Sequence, residues 1–207
     1  MSKFRNICAY IRFLPIMIFF PIFNNNIRLH KDADRWLQTK DTFYSRLAIL
    51  LHKKREFRNL FIYRNTYPKN HRFFRFWIKI FYPPEKTLFL ECPDIGGGCY
   101  IQHGFATYVT AKKIGENFHV NQQVTIGYSG PNALPVINDN CMVMCGAKVL
   151  GDITLGDYTR VGANAVVLKD YKRGYGLLVG VPAIPKKELS NEIIEKLKNL
   201  KMSVKNE

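Results

Sequence analysis

Few side chains of this sequence could carry out acid–base chemistry at neutral pH. Of its five histidines, His103 and His119 lie in the middle of the chain, in the segments IQHGFA and IGENFH. An imidazole titrates near neutrality, so it can take a proton from a hydroxyl group and return it later in a reaction. A lone histidine is more often structural than catalytic. The two histidines are therefore candidates whose surroundings must decide between these roles.

The five cysteines show no CxxC pair or other spacing typical of a metal site; they are Cys8, Cys92, Cys99, Cys141 and Cys145. We predict reduced thiols without disulfides, as in a cytoplasmic protein. We also predict that the protein holds no metal.

A six-residue repeat must position these side chains. Aliphatic residues open successive hexapeptides at Ile95, Ile101, Ile114, Val120, Ile126, Ile137, Val143, Val149, Leu155, Val161 and Val167. A period of six fits neither an amphipathic helix nor an alternating strand, so each unit must bury its apolar face by stacking on its neighbours. Hexapeptides stack in this way as a parallel β-helix, whose triangular coils of about eighteen residues lie about 4.8 Å apart.

The repeat also predicts which residues face inward. The opening aliphatic residue and the small residue at the fifth position should both lie in the narrow interior; the small residues are Cys99, Cys141, Ala147, Thr159 and Ala165. Glycine after the aliphatic residue suits a corner that needs a positive φ or a close approach of backbones; these glycines are Gly96, Gly115, Gly127, Gly156 and Gly162. The loop at 127–135 interrupts the period and should bulge from a corner.

Residues 95–185 resemble the left-handed β-helix acyltransferases of the hexapeptide-repeat family, in particular the serine O-acetyltransferases and related polysaccharide O-acetyltransferases. The matching segments are IGGGCYIQHG (95–104), KIGENFHVNQQVTIG (113–127), GAKVLGDITLGDYTRVGANAVVLKD (146–170) and VGVPA (179–183). The left-handed winding is implied by this resemblance alone, because the general crossover rule favours the right-handed form. The implied fold is mainly β, with an α-helical N-terminal region and a C-terminal helix.

The resemblance implies an acetyl-CoA-dependent O-acetyltransferase that works as a homotrimer, with its sites between subunits. A histidine at the place of His103 is the general base of the similar enzymes. Acetyl-CoA binding is implied for Cys145, Gly146, Ala163, Lys169 and Lys187. His119 is expected to be an exposed corner residue. A zinc hydratase of the same architecture would need three converging histidines, which two cannot supply.

Two positions depart from the serine acetyltransferase pattern. The serine acetyltransferases have an Asp directly before the histidine, and this sequence has Gln102 there. They also have a second histidine in the loop that corresponds to 127–135, and this loop contains none. Glu91 and Asp94 are the nearest upstream acids that could orient the His103 imidazole. L-serine and a sugar hydroxyl of a surface polysaccharide therefore both remain as acceptors.

Positive charge is concentrated before the repeat. Residues 1–90 contain eighteen Lys and Arg against five Asp and Glu, a net charge of +13 out of +15 for the chain. We divide the chain into a basic, aromatic helical region at 1–87, the β-helix at 88–185, and a C-terminal helix and tail at 186–207. The segment 31–64 has a helical pattern with Asp32 as its cap, and 188–201 predicts an amphipathic helix across the end of the β-helix.

Two N-terminal segments are each compatible with more than one environment. Residues 7–23 are apolar but shorter than the roughly twenty residues of a membrane span, and no signal-peptide cleavage site follows them. They predict either a helix packed in the N-terminal region or an interfacial segment. Residues 71–84 alternate basic and aromatic side chains, which suits a buried amphipathic helix, a membrane surface or nucleic acid.

The sequence is consistent with two functions from different classes. The first is a cytoplasmic acetyltransferase, with peripheral contact to the cytoplasmic membrane face left open and nucleic acid disfavoured. The second is a non-catalytic β-helix scaffold whose basic aromatic N-terminal region binds membrane or nucleic acid.

Overall fold

The computed structural model describes residues 2–66 and 71–190, together with residues 192, 194 and 195. The helices are α1 (Ser2–Phe13), α2 (Phe20–Phe23), α3 (Ile27–Trp36), α4 (Phe43–Lys53), α5 (Arg55–Thr66) and α6 (Arg72–Phe81), with a 3₁₀ turn at Leu14–Phe19. The strands are β1 (Leu88–Leu90), β2 (Tyr100–Ile101), β3 (Thr107–Val109), β4 (Lys113–Ile114), β5 (His119–Val120), β6 (Thr125–Gly127), β7 (Val136–Ile137), β8 (Met142–Val143), β9 (Lys148–Leu150), β10 (Thr154–Leu155), β11 (Arg160–Val161), β12 (Val166–Val167), β13 (Gly176–Gly180) and β14 (Ala183–Glu188).

The strands form the parallel β-helix that the six-residue repeat predicts, with about five turns. Face A has the strand order β1-β3-β6-β9-β12, face B has β10-β7-β4, and face C has β14-β13-β11-β8-β5-β2. The coil strands pair in parallel, and only the final β13–β14 pair among the described strands is antiparallel. The chain runs from face C to face A to face B in each coil.

The predicted inward positions are confirmed. The aliphatic residues that open the hexapeptides and the small residues at the fifth position are all buried. Of the glycines, Gly96, Gly115 and Gly156 are needed for close approach, since an added Cβ would overlap the neighbouring coil. None of the five predicted glycines has a positive φ; the positive values occur at other residues. The suggestion that these glycines supply a positive φ was therefore wrong.

The apolar segment at 7–23 folds into the helical region instead of forming one long helix. Pro15 and Pro21 lie at the starts of the 3₁₀ turn and α2, where a missing N–H costs no helical hydrogen bond. Phe13, Ile16 and Phe23 are buried in an aromatic core with residues of α4, α5 and α6. No helix among the described residues is long and apolar enough to cross a membrane.

The helical pattern of 31–64 is divided between three helices, and Asp32 is not a cap. The side chain of Asn26 caps α3 and that of Thr42 caps α4. Asp32 is buried inside α3 and accepts hydrogen bonds from Arg64 of α5 at 2.7 and 3.1 Å and from the backbone N–H of Cys99 at 2.8 Å.

The same Arg64 joins the helices to the first coil. Its guanidinium also donates to the backbone carbonyls of Ile95 and Gly96. Burial raises the pKa of the Asp32 carboxyl, an effect that Arg64 opposes. This pair fixes how α3 and α5 sit on the β-helix.

The chain leaves the β-helix through β14, which runs back along face C to Glu188. Most of the helix predicted for 188–201 lies outside the described residues; Glu192, Ile194 and Glu195 are helical.

Candidate active site

His103 lies on the corner where the chain passes from face C to face A, which we call the C/A corner. It follows β2, has a φ of 61° and is exposed. Seven positions separate Ile101 from Tyr108, whereas five separate the aligned residues Val120 and Thr125 in the next coil. The corner that carries His103 is therefore two residues longer than the corner of the next coil. The extra residues make the His103 corner project from the β-helix.

Gly104 directly after His103 is buried under the helical region. A Cβ on Gly104 would lie 2.9 Å from Ile101 Cγ2, 3.0 Å from Leu88 Cδ2 and 3.2 Å from Glu56 Cγ. The glycine thus allows the first turn of α5 to approach this corner. Glu56, which is half-buried, is the carboxylate that the fold brings beside the candidate base.

The two acids suggested by the sequence have other partners. Glu91 accepts a hydrogen bond from the Tyr108 hydroxyl, and this bond raises the pKa of Tyr108. Asp94 forms an ion pair with Arg28 at 2.8 Å. Both acids are therefore engaged with other residues, and Glu56 is the acid that packs against Gly104. Sequence reasoning missed Glu56 because its approach to Gly104 depends on how α5 docks.

Three of the candidate acetyl-CoA residues share the C/A corner with His103. The pairing of β2, β5, β8 and β11 aligns His103 with Cys145 two coils away and with Ala163 three coils away. At sheet spacing these separations are about 10 and 14 Å. Cys145 is half-buried and Ala163 is exposed, so both small side chains are accessible on this corner.

Gly146 also lies on this corner and has a structural reason to be glycine. Its φ is +72°, and a Cβ there would overlap the side-chain oxygen of Asn164 in the next coil. Its N–H donates to the carbonyl of Gln122 at 3.0 Å, and the Asn164 N–H donates to the carbonyl of Cys145 at 2.9 Å. These bonds keep successive corners in register.

The two lysines lie away from that corner. Lys169 is exposed after β12, on the corner between faces A and B (the A/B corner), from which the loop at 127–135 also leaves. Lys187 is on β14 opposite Leu177 and lines a groove of about 730 Å³ on face C with Arg35 and Arg160. Within one chain, the structure does not bring either lysine to His103.

His119 is not the exposed corner residue expected from the sequence. It lies in β5, half-buried, and its ring meets that of Tyr100 in a T-shaped arrangement with the centroids 5.1 Å apart. Burial, and then the neighbouring Arg35, lower the pKa of its imidazole. Nε2 is buried and has no hydrogen-bond partner among the described residues. His119 is a packing residue beneath α3.

Comparison with known proteins agrees with this architecture. Residues 135–169 match the family model for bacterial transferase hexapeptide (six repeats). The serine acetyltransferase of Staphylococcus xylosus is 38% identical over 93 residues, which cover 43% of this chain and 43% of that protein. The matched region is therefore less than half the length of this relative.

Solved structures match over more of the chain. The serine acetyltransferase of Neisseria gonorrhoeae has a TM-score of 0.58 and 21% identity, covering 79% of this chain and 67% of that one. The Brucella abortus enzyme in complex with coenzyme A has a TM-score of 0.56 and 18% identity, covering 86% and 73%. These likenesses confirm the left-handed β-helix fold. The β-helix of this chain therefore has the fold of the solved serine acetyltransferases and contains a segment, residues 135–169, that matches the hexapeptide-repeat model.

Proposed function

We propose that this chain is an acetyl-CoA-dependent O-acetyltransferase in which His103 is the general base. The observation that carries the proposal is the C/A corner, where an exposed histidine is aligned with Cys145 and Ala163 at about 10 and 14 Å. An extended pantetheine arm can span that distance. The similarity to serine acetyltransferases supports the same chemistry.

In the proposed reaction, the neutral His103 imidazole accepts the proton of the acceptor hydroxyl as its oxygen attacks the thioester carbonyl of acetyl-CoA. The tetrahedral intermediate collapses with cleavage of the C–S bond, and the imidazolium returns the proton to the departing thiolate. One acetyl ester and one CoA thiol form, and the histidine ends unchanged. This is general base and then general acid catalysis by one side chain.

The similarity to serine acetyltransferases favours L-serine as the acceptor, and the position of Glu56 supports this choice. A carboxylate in the first turn of α5, beside Gly104, can pair with the ammonium group of an amino acid while its hydroxyl faces His103. A sugar hydroxyl of a surface-polysaccharide precursor is the second candidate. The observation that favours it is the departure at Gln102 and in the loop at 127–135.

We propose that the working form is a homotrimer in the cytoplasm, where acetyl-CoA is available. Its three sites would lie between subunits, with the C/A corner of one chain facing the A/B corner of the next. Lys169 would then meet a phosphate of acetyl-CoA as a point charge from the neighbouring subunit. The separation of His103 and Lys169 within one chain supports this arrangement.

The test follows release of the CoA thiol with L-serine, with sugars and with lipid-linked sugars as acceptors. His103→Ala should lower the rate about 10²- to 10⁴-fold and leave the affinity for CoA nearly unchanged. Gln38→Ala is the control, because Gln38 is exposed after α3 and lies outside the C/A corner. Full turnover by His103→Ala would exclude this mechanism, and no turnover with any acceptor would favour the non-catalytic scaffold.

Glu56→Gln separates the two acceptors. If Glu56 pairs with the ammonium group of serine, the substitution should raise the KM for L-serine about tenfold or more with a smaller change in kcat. For a neutral sugar, which offers no ammonium group, KM should change little. An unchanged KM for L-serine would remove Glu56 from acceptor binding.

A further inference from the structure

The N-terminal helical region exposes a stripe of apolar side chains along α1 and the 3₁₀ turn. Ile7, Tyr10, Ile11, Leu14 and Ile18 recur at helical spacing and are all exposed, with Leu14 at 67% and Ile18 at 80%. The other side of the same segment is buried in the helical core. The aliphatic side chains of the stripe therefore point away from the helical core, whereas the Tyr10 hydroxyl also forms a 2.8 Å hydrogen bond with the Ser45 hydroxyl of α4.

Helix α6 exposes a second apolar stripe. Phe73, Phe76, Trp77 and Ile80 are exposed, whereas Phe74 and Ile78 are buried against the core. Its cations are at Arg72, Arg75 and Lys79, at intervals of three and four residues, which places them along a single side of the helix. The helix thus has a buried apolar side, an exposed apolar side and a cationic edge.

The two stripes belong to neighbouring elements. The Phe19 ring contacts Phe73 and Phe74, with centroids 6.1 and 5.2 Å apart. The Arg12 guanidinium donates to the carbonyl of Phe81 and lies 4.7 Å above the ring of Tyr82. We call the exposed apolar residues of both stripes the apolar surface: Ile7, Tyr10, Ile11, Leu14, Ile18, Phe73, Phe76, Trp77 and Ile80. Many large exposed apolar side chains on two neighbouring elements are typical of a surface that meets a partner.

We propose that the apolar surface docks the protein on a lipid bilayer that contains anionic phospholipids. Aromatic rings and aliphatic side chains would enter the boundary between headgroups and acyl chains, while the cationic edge of α6 meets lipid phosphates. The net charge of +13 over residues 1–90 is complementary to such a membrane. The proposal does not depend on acetyl transfer.

Charge and shape favour a bilayer over two other partners. A second copy of this chain would bring two strongly basic regions together, which like-charge repulsion opposes. Single-stranded nucleic acid binds through stacking of bases on aromatic rings, and the aliphatic stripe of Ile7, Ile11, Leu14 and Ile18 offers no ring for stacking. An anionic bilayer uses both the aliphatic residues and the cations.

The experiment measures co-sedimentation of the full chain with vesicles of phosphatidylcholine and phosphatidylglycerol, and with pure phosphatidylcholine vesicles, at low and high salt. Binding should be strong only with the anionic vesicles at low salt, and it should weaken at high salt. Ile11→Ser/Ile18→Ser and Phe76→Ser/Ile80→Ser should each weaken binding about tenfold or more. Arg72→Gln/Arg75→Gln should weaken it about tenfold or more.

Ile184→Ser is the matched control, because Ile184 is an exposed apolar residue on β14, outside the apolar surface. All the substituted residues are exposed, and thermal unfolding within a few degrees of wild type would confirm folding. Trp77 provides a second readout, since the half-buried Trp36 is held in place by a 2.7 Å hydrogen bond to the carbonyl of Cys99. Anionic vesicles should shift Trp emission to the blue in the wild-type protein but not in Trp77→Phe.

Three results would overturn the proposal. The first is no sedimentation of the wild-type chain with anionic vesicles at low salt, and the second is binding that Ile11→Ser/Ile18→Ser and Ile184→Ser affect equally. The third is that the protein does not bind vesicles but uses the apolar surface for another contact. That contact would be self-association or the binding of single-stranded nucleic acid. Each of these results leaves acetyl transfer by the β-helix unaffected, so the two proposals fail independently.

Discussion

At the scale of single residues, the C/A corner places a residue required by the fold next to a residue proposed to contact acetyl-CoA. Gly146 must lack a side chain because Asn164 occupies the space where its Cβ would lie. Cys145 beside it is half-buried and faces the path proposed for pantetheine. Cys99 and Cys141 are different, since they fill the interior and burial raises the pKa of each thiol to about 12.

This contrast gives a test of where CoA binds. At pH 8, Cys99 and Cys141 should stay protonated and resist iodoacetamide, because a thiolate is the reactive form. Cys8 and Cys145 should be modified. Desulfo-CoA, which carries no competing thiol, should slow modification of Cys145 and leave Cys8 unchanged, as read by mass spectrometry of the labelled peptides. Equal protection or no protection of the two thiols would place CoA elsewhere.

At the scale of elements, the six-residue register is the feature on which the β-helix depends. Val149 in β9 is fully buried, whereas Val166 in the adjacent β12 pairs with Lys148 and is partly exposed. The two valines lie in neighbouring strands of face A but point to opposite sides.

Val149→Asp should destabilise the fold by several kcal/mol, because the interior offers a carboxylate no partner. Val166→Asp should change the melting temperature by no more than a few degrees, since its carboxylate can remain in water near Lys148. Thermal unfolding followed by circular dichroism compares the two. Equal melting temperatures for both variants would contradict the assigned register.

The register could be predicted from the sequence because each coil repeats the same requirement for an inward aliphatic residue and a small companion. The helical region could not be predicted in the same detail. Asp32 looked like a cap because an acid before an apolar run is typical of a helix start. Its actual role depends on Arg64, which is thirty-two positions away in the sequence and adjacent only in the folded chain.

The candidate site could be predicted where its residues follow the six-residue repeat. It could not be predicted where it depends on how the helices dock on the β-helix. His103, Cys145 and Ala163 align because they occupy equivalent positions in successive coils. Glu56 reaches the corner only because α5 packs over Gly104, which no local pattern shows. Lys187 was grouped with the other candidates through the family resemblance, but the turn into β14 places it on face C.

At the scale of the whole molecule, the candidate acetyl-CoA residues do not form one site in one chain. His103 and Lys169 lie on different corners of the triangular β-helix and are three coils apart, about 14 Å along its axis. A closed trimer with rotational symmetry brings different corners of neighbouring chains together at each interface. The arrangement therefore predicts that one site takes its base from one subunit and its lysine from the next.

Mixed trimers test this directly. His103→Ala and Lys169→Glu chains, each nearly inactive alone at low acetyl-CoA, are co-expressed with different tags and purified by both tags. Purification by both tags leaves only mixed trimers, and in each of them about a third of the interfaces, one of the three, should pair an intact His103 with an intact Lys169 from the neighbouring subunit. Activity should then recover to about that fraction of the wild-type rate. If both residues acted within one chain, every site would carry one of the two changes, and the mixed trimers would stay as inactive as the separate variants.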